Sequence, residues 1–133
     1  MMAEHESASL GGVILVVDDE ESICTIAARM LQRLGYRAIT ASDGQTGIAR
    51  FEERAQQIVC VLLDMTMPHM SGEAVSRAIQ AIDPNARIVM MSGHAEDDMI
   101  GRMSDLKFAG FLPKPFNLER MRSTIARAVG STG

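Results

Sequence analysis

The sequence predicts a doubly wound α/β fold, a single five-stranded parallel sheet with helices on both faces. Three observations carry that expectation. Five short apolar runs alternate along the chain with five longer segments of helical periodicity. The runs are apolar at consecutive positions, as in strands covered on both faces rather than one. The connecting segments are long enough for one helix each, which is what a crossover between parallel strands requires.

The first run, VILVV at 13–17, is followed by a helical segment over 20–34. There Ile23, Ile26, Ala27, Met30, Leu31 and Leu34 form one apolar stripe, and Gly35 stands where a left-handed C-terminal residue is wanted. YRAIT at 36–40 precedes a helix over 43–55 with Asp43 as N-cap. IVCVLLD at 58–64 precedes a helix over 71–81, capped by Ser71 and ended before Pro84. ARIVMMS at 86–92 precedes a helix over 95–106. AGFLPK at 109–114 precedes a last helix over 117–129, with Asn117 as its cap.

The 133 residues make one ordinary domain, expected over 12–130, with a flexible N-terminal segment or linker at 1–11 and a tail at 131–133. With 47% hydrophobic and 23% charged residues the chain is expected to be globular. A net charge of -4 without a basic cluster argues against direct nucleic-acid binding. Cys24 and Cys60 lie in apolar segments without CxxC spacing and read as buried reduced thiols. His5 and His69 have no partner at metal-ligand spacing, so a zinc site is not expected. There is no secretory apolar core and no run of about 18 apolar residues, so no membrane insertion and a cytoplasmic location are expected.

Chemistry is concentrated where the apolar runs end. The closing residues are Asp18 with Asp19, Thr40, Asp64, Ser92 and Lys114. If the strand order is the flavodoxin-like 2-1-3-4-5, the ends of strands 1, 3, 4 and 5 are neighbours, and ligands bind beyond them where the order reverses. Three carboxylates, a hydroxyl and an ammonium then share one crevice. Each carboxylate pair repels by about 4 kcal/mol at an effective dielectric near 20, which one lysine does not offset. Oxygen ligands with open positions favour a hard cation, and Mg²⁺ fits best. A carboxylate beside Mg²⁺ and an ammonium can attack a phosphoryl group, with Ser92 donating to one of its oxygens and Gly93 leaving room for it. Asp64, closing the central run, is the best nucleophile candidate. His94, two residues past Ser92, flanks the same place.

DD after the first run, D in LLDMTMPHMSG, S in VMMSG and K in GFLPKPF together resemble the receiver domain of two-component response regulators over residues 12 to 129. The resemblance implies that Asp64 is the phosphoacceptor. It implies that Asp19, Asp64 and the backbone carbonyl of Thr66 ligate Mg²⁺, with Asp18 acting through water. Lys114 would contact the phosphoryl group across a cis Lys114–Pro115 bond, Ser92 would be the switch hydroxyl, and Phe111 would occupy the aromatic switch position without a phenolic hydroxyl. The stretch from Ser92 to Met121 is similar to C-terminal receivers of hybrid sensor histidine kinases.

The function this implies is a phosphorylation-driven switch. The domain takes a phosphoryl group from a histidine kinase or phosphotransfer domain, and is a substrate with at most slow self-catalysed phosphorylation and dephosphorylation rather than an enzyme. Its partner surface would be the helix over 95–106, the fifth strand and the last helix, with Met99, Met103, Arg120 and Arg127. Two alternatives remain at this point: a Mg²⁺-dependent aspartyl-phosphate phosphohydrolase, although Thr66 replaces the second acid of a D-x-D signature, and a receiver-like binding module that is never phosphorylated.

Overall fold

The computed structural model describes residues 11–93 and 107–130. Strand β1 is Val13–Val17, helix α1 Glu21–Arg33, β2 Arg37–Ala41, α2 Gly44–Glu53, β3 Ile58–Asp64, α3 Gly72–Ile82, β4 Ile88–Ser92, β5 Gly110–Pro113 and α4 Leu118–Gly130. All pairings are parallel and the order is β2-β1-β3-β4-β5. The expected architecture and strand order are therefore found. The helix expected over 95–106 lies outside the described residues, as do His94, Met99 and Met103 and nearly all of the expected N-terminal segment.

Side chains alternate across the sheet with period two, which divides one apolar sequence into two cores. Ile14, Val16, Cys60, Leu62, Val89 and Met91 face Cys24, Ala27 and Leu31 of α1 and Met121, Ile125 and Ala128 of α4. Leu15, Val17, Val61, Leu63 and Met90 face Phe51 of α2 and Val75 and Ile79 of α3. Since β1 and β3 are buried on both faces, their lengths are apolar and the ionisable residues fall where the strands end. That constraint puts Asp18 and Asp64 at the C-terminal ends of two interior strands.

The helix ends are set locally. The side chains of Asp43, Ser71 and Asn117 accept from the backbone N–H groups of Thr46 (2.7 Å), Ala74 (3.1 Å) and Arg120 (2.7 Å), as expected of caps. α1 closes with Gly35 at φ +96°, while the N–H groups of Gly35 and Tyr36 donate to the carbonyls of Gln32 and Leu31 at 3.1 and 2.9 Å. The apolar stripe expected on α1 needs one correction, because Ile26 is 45% exposed. The buried face follows Cys24, Ala27 and Leu31, and Ile26 is one residue, about 100°, away from its centre.

In the loop between β3 and α3, His69 has φ +69°. A Cβ is disfavoured in this left-handed region, and His69 is exposed with no hydrogen-bond or ion-pair partner among the described residues to compensate. Exchanging His69 for glycine is expected to raise stability by about 0.5–1 kcal/mol in urea denaturation, relief of strain exceeding the added freedom of the unfolded chain. A lower midpoint would show that the imidazole makes a stabilising contact.

Candidate functional site

The crevice is assembled from the ends of β1, β3, β4 and β5. Asp18 follows β1, and its N–H donates to the Ala41 carbonyl at 3.1 Å, holding the β1 and β2 ends together. Asp64 closes β3, and the next N–H, of Met65, donates to Met91 O of β4 at 3.2 Å. The N–H of Lys114 donates to Ser92 O at 2.9 Å, tying the β5 end to β4. The Lys114–Pro115 bond is cis, as the resemblance implies. Thus backbone hydrogen bonding alone brings the closing residues of four strands to one place.

Lys114 Nζ is 2.9 Å from Asp18 Oδ2, 3.7 Å from Asp64 Oδ2 and 3.7 Å from Glu20 Oε1. Asp18 is fully buried, Asp64 nearly so, and Asp19 exposed. One oxygen from each of these three aspartates falls within 4.8 Å of the others. Asp18 Oδ1 accepts from the Glu20 N–H at 2.8 Å. Its Oδ2 has the ammonium as a Coulombic partner but no aligned hydrogen bond, so acceptor capacity is left over in a fully buried atom. Asp64 Oδ1 accepts from Thr66 twice, from the backbone N–H at 3.1 Å and from Oγ1 at 3.3 Å. That leaves Oδ2 as the oxygen turned to the ammonium.

Burial pushes the Asp18 carboxyl above its ordinary range, opposed by the Glu20 N–H and by Lys114 and reinforced by the charge of Asp64. Burial works against the Lys114 ammonium, but Asp18, Asp64 and Glu20 outweigh it and hold its pKa above the usual lysine value. An excess of carboxylates over cations is thus concentrated in a partly desolvated crevice. The two thiols are free and buried, as expected, and burial pushes Cys60 up to about 12. Cys24 Sγ lies 3.4 Å from Asp18 O, its pKa raised by burial and by the Asp18 charge, so neither thiol is an activated nucleophile.

Ser92 is buried at the end of β4, beside the crevice. A Cβ placed on Gly93 would meet no atom of the described residues within 4 Å. Phe111 pairs in register with Met90 and is half-buried against the α2–α3 core. Met65 and Met67 are buried in that same core, and Met70 packs against it. Two features escaped sequence reasoning. The Thr66 hydroxyl bonds Asp64, whereas only its carbonyl was expected to take part. Glu20 reaches Lys114, and the available signal was a glutamate at an N-cap position, where Ser, Thr, Asp or Asn is usual.

Residues 14–126 match the family model described as the response regulator receiver domain. Over 113 residues, 84% of this chain, the sequence is 34% identical to the sensor kinase CckA of Brucella abortus, of whose length the chain spans 12%. It is 28% identical over 114 residues to sporulation initiation phosphotransferase F of Bacillus subtilis, covering 86% of this chain and 90% of that protein. Among solved structures, a receiver domain protein from Clostridium thermocellum superposes with a TM-score of 0.83 at 30% identity, covering 91% of this chain and 96% of the other. Chemotaxis protein CheY4 of Vibrio cholerae gives 0.82 at 27% identity, covering 88% and 98%. With its strand order and buried acidic pocket, the chain belongs to the response regulator receiver domain family, the phosphoacceptor signalling domain of two-component systems.

Proposed function

We propose that Asp64 is the phosphoacceptor and that Asp19, Asp64 and the Thr66 carbonyl hold Mg²⁺, with Asp18 acting through water. The donor set fits that ion: it is oxygen only, carries more negative charge than Lys114 offsets, and includes the buried Asp18 Oδ2 with acceptor capacity to spare. When bound, Mg²⁺ supplies positive charge beside the oxygens of the transferring phosphoryl group. The observation that carries the reading is the position of Lys114 Nζ, within 3.7 Å of both Asp18 and Asp64. An ammonium there steadies Asp64 Oδ2 before the reaction and can follow a phosphoryl oxygen after it. Thr66 holds the other Asp64 oxygen, so the nucleophile enters the reaction with one orientation.

The donor in this reading is the phosphohistidine of a histidine kinase or phosphotransfer domain, and the domain itself is at most a slow catalyst of its own phosphorylation and dephosphorylation. After transfer Ser92 turns toward a phosphoryl oxygen, and Phe111 repacks toward the space that movement opens, biasing two packings of β4 and β5. The surface that responds includes β5 and α4, where Arg120 and Arg127 are exposed. No helix of the described residues is long and apolar enough to cross a membrane. In the cell we place the domain in the cytoplasm.

Incubation with a small phosphodonor, with and without Mg²⁺, followed by intact mass measurement, tests the reading. The expected result is Mg²⁺-dependent addition of one phosphoryl group that maps to Asp64. Turnover of many donor equivalents would identify a phosphohydrolase instead, and no addition at all an inert module.

A further inference from the structure

Glu20 is the N-cap of α1, yet its side chain makes no capping hydrogen bond. Its backbone is held at φ -91°, ψ 113°, with the N–H given to Asp18 Oδ1 at 2.8 Å and the carbonyl accepting from Ile23 and Cys24 at 3.1 and 3.2 Å. So anchored, Glu20 directs its carboxylate over the crevice, with Oε1 at 3.7 Å from Lys114 Nζ. The side chain is 61% exposed while that of Lys114 is 16% exposed, so Glu20 is the outer of the three carboxylates grouped on this ammonium. The residue type forfeits a cap in order to place a charge at the mouth of the site. Asp19 and Glu21, both exposed, flank it.

From this geometry we infer that Glu20 is a donor-discriminating residue, acting through Lys114: its carboxylate disfavours strongly anionic small-molecule phosphodonors relative to donors whose leaving group carries a proton. The inference rests on Asp64 being the acceptor. In either reaction the Asp64 carboxylate oxygen forms a bond to phosphorus. With acetyl phosphate the P–O bond breaks and acetate departs with its electron pair. With phosphoramidate the P–N bond breaks and the already protonated nitrogen departs as ammonia. The first donor approaches as a dianion and the second, at neutral pH, with less net negative charge. A phosphorylated imidazolium, the chemistry of a phosphohistidine donor, resembles the second. Because Glu20 is solvated its field is screened, and an effect of several-fold is expected rather than of many orders.

The test compares rates of phosphoryl incorporation from acetyl phosphate and from phosphoramidate, at saturating Mg²⁺ and at low and high salt. The proteins are the unmodified chain, Glu20→Gln, Glu20→Asp and, as a control at the C-terminal end of α2, Glu52→Gln. In Glu20→Gln at low salt the acetyl phosphate rate should rise roughly three- to tenfold and the phosphoramidate rate by less than about twofold. The difference should shrink at high salt. Glu20→Asp, which keeps the charge, should keep the unmodified preference, and Glu52→Gln should leave it unchanged. A readout without metal accompanies the rates: of the chain's two lysines, Lys107 and Lys114, only the ¹⁵N ammonium signal of Lys114 should move in Glu20→Gln. An unchanged donor ratio in a Glu20→Gln protein that is still phosphorylated would overturn the inference, as would an unmoved Lys114 signal. If neither donor labels the unmodified chain, the assignment of Asp64 falls and this inference with it.

Discussion

Asp64→Asn is expected to reduce phosphoryl incorporation to background, a loss of at least about a thousandfold, while making the metal-free protein more stable. The amide keeps the size of the side chain and an oxygen able to accept from the Thr66 N–H and Oγ1, so the loop after β3 retains its anchor. What disappears is the carboxylate charge proposed to attack phosphorus, together with the repulsion between Asp64 and its neighbours. Three carboxylate oxygens within 4.8 Å of one another and a single close ammonium leave net repulsion in the folded state. Removing one charge should therefore stabilise by about 1–3 kcal/mol without metal, allowing for the lost attraction to Lys114. With Mg²⁺ the order should reverse, since the variant binds the ion more weakly and a ligand stabilises only the state that binds it. Urea denaturation with and without Mg²⁺, beside intact mass measurement, gives both answers. Incorporation equal to that of the unmodified chain would remove Asp64 from the reaction, and a less stable metal-free variant would mean that the carboxylate is structurally required.

Gly72→Ala is expected to be the most damaging single methyl group that can be added near the site. A Cβ on Gly72 would stand 2.6 Å from Met65 Cα and 3.0 Å from Asp64 O. These are backbone atoms at the end of the central strand, so no rotamer change relieves the contact. Either the start of α3 moves away from the sheet or the end of β3 moves with Asp64 on it. Overpacking of this kind costs about 1–3 kcal/mol, and a backbone contact belongs at the upper end of that range. The phosphorylation rate should fall as well if Asp64 is the acceptor, because the contact fixes where the end of β3 stands. Gly93→Ala is the control for stability. No atom of the described residues lies within 4 Å of its added methyl, and a change within about 0.5 kcal/mol is expected. An unaltered denaturation midpoint for Gly72→Ala would show that α3 can withdraw freely.

Much of this molecule was legible from local pattern. Runs apolar at successive positions mark strands buried on both sides, and the two cores found on opposite faces of β1 and β3 are the physical content of that mark. Asp43, Ser71 and Asn117 were readable as caps because capping involves residues three apart in the chain. The acid pair, Asp64, Ser92 and Lys114 were readable as one site because parallel strands must end at the same edge of a sheet. In the order β2-β1-β3-β4-β5, closing residues far apart in sequence are thereby neighbours.

Tertiary structure alone decided what depends on distances between elements. Periodicity put Ile26 in the apolar stripe of α1, but which arc of a helix is covered depends on where β1 and α4 press against it, and they cover Cys24, Ala27 and Leu31. Nothing local gave Gly72 a steric role, since that role comes from the approach of α3 to the backbone of β3. Glu20 looked like one more acid on a helix N-terminus, where negative charge is favourable in any case. Its place over Lys114 depends on the end of β5 being brought beside the start of α1, a contact between residues more than ninety positions apart. Sequence by itself thus determined the sheet and the residues at its carboxyl edge, because hydrophobic period and strand polarity act along the chain, while the strand order entered as an assumption that the fold then bore out. The folded structure determined which carboxylate oxygen faces the ammonium, that a methyl on Gly72 would meet the backbone of β3, and which acid stands at the mouth, because those are settled by packing and Coulomb forces across it.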